Sequence, residues 1–97
     1  MEFRRLFDSD QRAAAARVYR DQRRKLKYLH EKFPPVTPEE RLLFRRYHDL
    51  LQDFAREVAV PNVKVNVRRF NKLMEAVIDA SMMYDFARRM RELDEGD

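Results

Sequence analysis

The 97-residue chain has no cysteine, no tryptophan, a single glycine at position 96 and four prolines. Without cysteine there is neither a disulfide framework nor a thiolate-held zinc, a pattern compatible with a reducing compartment. With no glycine before Gly96, no glycine-rich loop can cradle a phosphate. No apolar run approaches the ~20 residues that cross a bilayer, so no membrane span is expected. The opening MEFRRLF is short and mildly amphipathic, but Glu2, Asp8 and Asp10 lie close by, and transit peptides are poor in acids. No cleavable leader is expected; an uncleaved internal address stays open. Catalytic groupings are missing too. His30 and His48 fall on different expected helices with no acidic pair at ligand spacing, so neither a metal site nor an enzyme is expected.

What is present is a balance of 44% hydrophobic and 39% charged residues, the composition of a globular, helix-rich domain rather than a disordered one. Residues 1–97 make one domain, since a chain of this length supports one core and buries roughly 60–65% of its unfolded surface. The net charge of +4 is unevenly spread. Residues 1–33 hold ten Lys/Arg against five Asp/Glu, residues 34–66 hold five against five, and residues 67–97 hold six against seven. The basic character therefore belongs to the first third.

Helix 1 is expected over about 10–33, with Asp8 and Gln11 spaced as a capping box and Ala13 to Ala16 favouring helix. Ala15, Tyr19, Gln22, Leu26, Leu29 and Phe33 form its apolar seam, and Arg17, Arg20, Arg24 and Lys27 fall on the opposite side. Pro34 and Pro35 end it. In Thr37-Pro38-Glu39-Glu40, Thr37 caps, Pro38 suits the first helical position and Glu40 completes a capping box, which also accounts for the paired carboxylates. Helix 2, about 38–58, carries Leu43, Tyr47, Leu50, Leu51, Phe54 and Val58 on one face and Arg41, Arg45, Asp49, Asp53 and Arg56 away from it. Residues 60–67 alternate valine with polar residues and read as an extended linker or an edge strand, with Asn62 or Asn66 as a cap.

Helix 3 is expected over about 67–93, with a core stripe of Val67, Phe70, Met74, Val77, Ser81 and Tyr84, widened by Leu73 and Ile78. Arg68, Lys72, Glu75 and Asp79 should face water. The same row then turns apolar at Met82, Met83, Phe86 and Met90, which marks the end of this helix as a partner surface. The tail from Asp94 is expected to fray. The predicted fold is all-α, a three-helix antiparallel up-down-up bundle with a long third helix. Its seams make either a filled core or the lining of a hollow for a long acyl chain. Sequence favours the filled core, while Gln22 and Ser81 on apolar stripes lean the other way, since buried polar groups need partners.

Val18-Tyr19-Arg20 resembles the Leu-Tyr-Arg signature of the LYR-motif family, small basic three-helix mitochondrial proteins. Leu29-His30 with Phe33-Pro34-Pro35, and Gln52-Asp53-Phe54-Ala55-Arg56, are similar to the segments that close that family's first and second helices. Val18 stands where the family carries leucine, and Asp21 and Gln22 stand where it prefers apolar or basic residues. The resemblance implies an accessory or assembly subunit of a larger mitochondrial complex. Arg20 would meet an acyl carrier protein, and Tyr19 and Phe54 would face the acyl chain of its acyl-phosphopantetheine; the chain itself would need no cofactor of its own. The residues alone support a non-enzymatic adaptor: Arg17, Arg20, Arg24 and Lys27 for an acidic partner, Met82, Met83, Phe86 and Met90 for a larger assembly. The alternative is a small basic helical protein that binds nucleic acid, including a ribosomal or viral accessory protein.

Overall fold

The computed structural model describes residues 9–59 and 67–96, apart from the side chains of residues 9–12, 67 and 69. It is all-α, with α1 at Ser9–Lys32, α2 at Pro38–Ala59 and α3 at Val67–Gly96. The expected pairing of Asp8 with Gln11, and the reading of residues 60–66 as linker or strand with a cap at Asn62 or Asn66, lie outside the described residues.

The α1–α2 corner follows its local chemistry. Phe33 N–H donates to Leu29 O at 2.8 Å in the last turn, after which Pro34 and Pro35 offer no donor to continue it. At the start of α2, Glu40 N–H donates to Thr37 Oγ1 at 3.1 Å. The Glu40 carboxylate reaches back to accept from Val36 N–H and Thr37 Oγ1, each at 3.2 Å. This is the expected capping box, shifted so that the carboxylate closes on the residue before the cap.

The helices alternate in direction. Phe54 meets Phe70 with ring centroids 5.1 Å apart, and Phe44 meets Tyr84 edge-on at 5.1 Å, so α2 and α3 run antiparallel. Gln22 faces Tyr47 and His30 faces Phe44, which sets α1 antiparallel to α2. Packing is most extensive between α2 and α3 and thinner between α1 and α2. The bundle is long and narrow, 53 × 23 × 17 Å.

Its core contains Ala15, Leu29, Tyr47, Leu51, Phe54, Phe70, Val77, Ala80 and Tyr84, all buried. Aromatic pairs of this geometry add about 0.5–1.5 kcal/mol each beyond the area they bury. Two expectations need correction. Ile78 does not widen the α3 stripe but lies exposed, and Ala80 is the buried residue beside it. The C-terminal tail does not fray at Asp94. Arg88 pairs with Glu92 at 3.0 Å and Arg91 with Glu95 at 3.2 Å, each one helical turn apart, and these extend α3 to Gly96.

Candidate functional site

The basic row of α1 is placed as its period predicts. Arg17, Arg20, Arg24 and Lys27 are all exposed, on the side of α1 opposite buried Ala15 and Leu29. None of the four forms an ion pair with another described residue. Asp21 and Glu31, also exposed, border the row without closing on it. Four cations held outward on one rigid face make a surface suited to carboxylates or phosphates.

Lys25 behaves differently from its neighbours. It turns inward and donates to Asp85 Oδ2 at 2.7 Å and to Ser81 Oγ at 3.4 Å, tying α1 to α3. Ser81 in turn donates to Ile78 O at 2.8 Å. Gln22 accepts from the Tyr47 hydroxyl through both Oε1, at 2.7 Å, and its backbone oxygen, at 3.0 Å. Gln22 and Ser81, the polar groups on the apolar stripes, thus have partners within the monomer and do not require a hollow interior. Burial pushes the Tyr47 phenol well above its ordinary value of 10.0, with Asp85 adding to the effect. Phe54 is completely enclosed, while Tyr19 is half-buried against the rim of the core.

A second face lies at the other end of α3. Met82, Met83, Phe86 and Met90 are exposed, Phe86 at 67%, and Leu93 continues the strip. Met82, Met83, Phe86 and Met90, with Leu43, Ala87, Thr37, Glu39 and Asp94, line a groove of about 640 Å³ between α2 and α3. No described side chain of α1 lines it.

A buried ion pair also lines this groove. Glu40, only 1% exposed, accepts from Arg91 Nε at 2.6 Å in addition to its two capping bonds. Burial opposes its ionisation, but Arg91 and the bonds from Val36 and Thr37 outweigh that and hold its pKa below the ordinary 4.5. The capping box expected of Glu40 forms, and the pairing with Arg91 adds a second role that the local motif does not show. A signal was there: continuing the α3 core stripe from Ser81 through Tyr84 by the same spacing lands on Arg88 and Arg91. Arg88 also folds inward, its guanidinium carbon 4.4 Å from the Phe33 ring centroid, and Tyr84 donates to Phe33 O at 2.7 Å. Among the described residues Arg88 Nε has no acceptor, and the ring face supplies part of what it lacks.

Among the described residues no group of acidic or histidine side chains is arranged to hold a metal ion, and no helix is long and apolar enough to cross a membrane. The geometry is that of two outward faces, one cationic and one apolar, on a filled bundle. No protein-family model, curated protein or solved structure matches the chain.

Proposed function

We propose that this protein is a non-enzymatic adaptor whose α1 docks on the acidic surface of a partner protein. The observation that carries the reading is the row Arg17, Arg20, Arg24 and Lys27, exposed together and unpaired among the described residues. Cations left free in the monomer add little to its stability, but they steer an acidic partner and fix its register. The bordering Asp21 and Glu31 favour a protein surface of mixed charge over a uniformly anionic nucleic acid.

The resemblance of Val18-Tyr19-Arg20 to the LYR motif names an acyl carrier protein as the partner and a mitochondrial assembly as the setting. With Phe54 enclosed, an acyl chain would reach it only if the helices parted. The docking proposal accordingly stands on the surface charge. The test is co-purification with acyl-loaded acyl carrier protein at low salt. Capture by the parent and its loss in the double variant Arg20→Glu/Arg24→Glu are expected. Undiminished capture by the variant refutes the reading, and a steep salt-dependent shift of any RNA or DNA favours the nucleic-acid alternative instead.

A further inference from the structure

We propose that the groove between α2 and α3 receives an amphipathic helix of a second partner protein, one whose apolar ridge is bordered by lysine or arginine. The inference deepens the adaptor reading and rests on it only in requiring a partner besides the one on α1. The apolar strip from Met82 to Leu93 extends about 16 Å at 1.5 Å per residue, three turns of a helix. Anchors at i, i+3, i+4 and i+7 on a docked helix span about 10 Å and fit within that length. Three methionines and Phe86 supply a floor that adapts to branched side chains.

Charge on the rim selects the occupant. Glu39 stands on the α2 wall and Asp94 at the α3 end, both exposed and neither ion-paired among the described residues. Glu40 and Arg91, also at the groove, neutralise one another, so the charges that line the groove are net negative, while exposed Arg89, one turn from Phe86 and Leu93, borders the outer edge of the strip. Glu39 and Asp94 disfavour an anionic lipid surface in the groove itself. A second copy seating groove on groove would bring rim acids against rim acids. A helix with cationic shoulders meets the apolar floor and the acidic rim together.

The experiment uses the full chain and a pair of labelled synthetic helical peptides. Both carry leucine at the four anchor positions; one has lysine on the flanks and the other glutamate. Fluorescence anisotropy should show the lysine peptide binding about tenfold more tightly, the worth of two rim ion pairs. Phe86→Asp, a change at an exposed site, should abolish binding without altering the melting temperature. Glu39→Lys/Asp94→Lys should reverse the preference between peptides. Arg20→Glu/Arg24→Glu should leave peptide binding untouched, and Phe86→Asp should leave capture of the acyl carrier protein untouched, so each face is tested apart from the other. Equal binding of both peptides, binding of neither, or a dimer that Phe86→Asp dissolves would overturn the proposal.

Discussion

Replacing Tyr47 by phenylalanine tests whether the interior is closed. The ring is completely buried, and its hydroxyl donates to two oxygens of Gln22, at 2.7 and 3.0 Å. Phenylalanine keeps the ring, so apolar burial changes little and almost no cavity opens. What is lost is the shared donation. The Gln22 carbonyl retains its bond within α1, whereas Oε1, half-buried, loses its only short partner among the described residues. An intramolecular hydrogen bond is worth about 0.5–1.5 kcal/mol net, and a stranded buried acceptor costs about 1–3 kcal/mol. Since Gln22 can swing partly toward water, the expected loss is about 1–2 kcal/mol, or roughly 5–15 °C in melting temperature for a domain of this size. Urea denaturation followed by far-UV circular dichroism should show a lower midpoint with an unchanged slope. Adding Gln22→Leu to Tyr47→Phe should recover most of the loss, because exchanging both partners for apolar groups removes the stranded acceptor. Tyr28→Phe, at a site 54% exposed, should stay within about 0.5 kcal/mol of the parent. A loss below about 0.5 kcal/mol for Tyr47→Phe would mean that solvent or an open hollow already serves Gln22, and the filled-core account would fail.

Glu40 and the central aromatic layer give two further tests. Because the folded-state pKa of Glu40 lies below 4.5, its stabilisation is complete above that value and fades as pH falls through the folded pKa. Glu40→Gln should therefore lower the urea midpoint at neutral pH and flatten its decline in acid; parallel acid limbs for parent and variant would contradict the assignment. Phe54→Ala should cost about 3–5 kcal/mol in chemical denaturation, since the side chain is fully enclosed and packs on Phe70 at 5.1 Å. A cost under about 1 kcal/mol would show that nothing tight surrounds it.

The helices and their inner faces were legible because period and punctuation agree. Pro34, Pro35 and Thr37-Pro38 mark the α1–α2 corner, and the threes-and-fours of Tyr47, Leu51 and Phe54 describe the buried side of α2. The outward placement of Arg17, Arg20, Arg24 and Lys27, and of Met82, Met83, Phe86 and Met90, followed from the same periodicity. What could not be read locally was the use of charge inside the bundle. Lys25 finds Asp85 and Glu40 finds Arg91 only because distant segments pack together. Composition likewise counted Lys25 with the free cations, although it is committed to α3. Ile78 was misplaced for a related reason. Hydrophobicity suggested the core, but the helical period turns Ile78 outward and Ala80 inward.

The uneven packing of the bundle has a dynamic consequence. The hairpin of α2 and α3 shares the broader contact, and α1 closes on it along a slimmer border. Amides of α1 should accordingly exchange with solvent through openings that leave the hairpin intact, at lower free energy than global unfolding. A ligand gripping the outside of α1 would slow exchange along that helix first, so deuterium uptake would report its arrival even where the average structure scarcely changes.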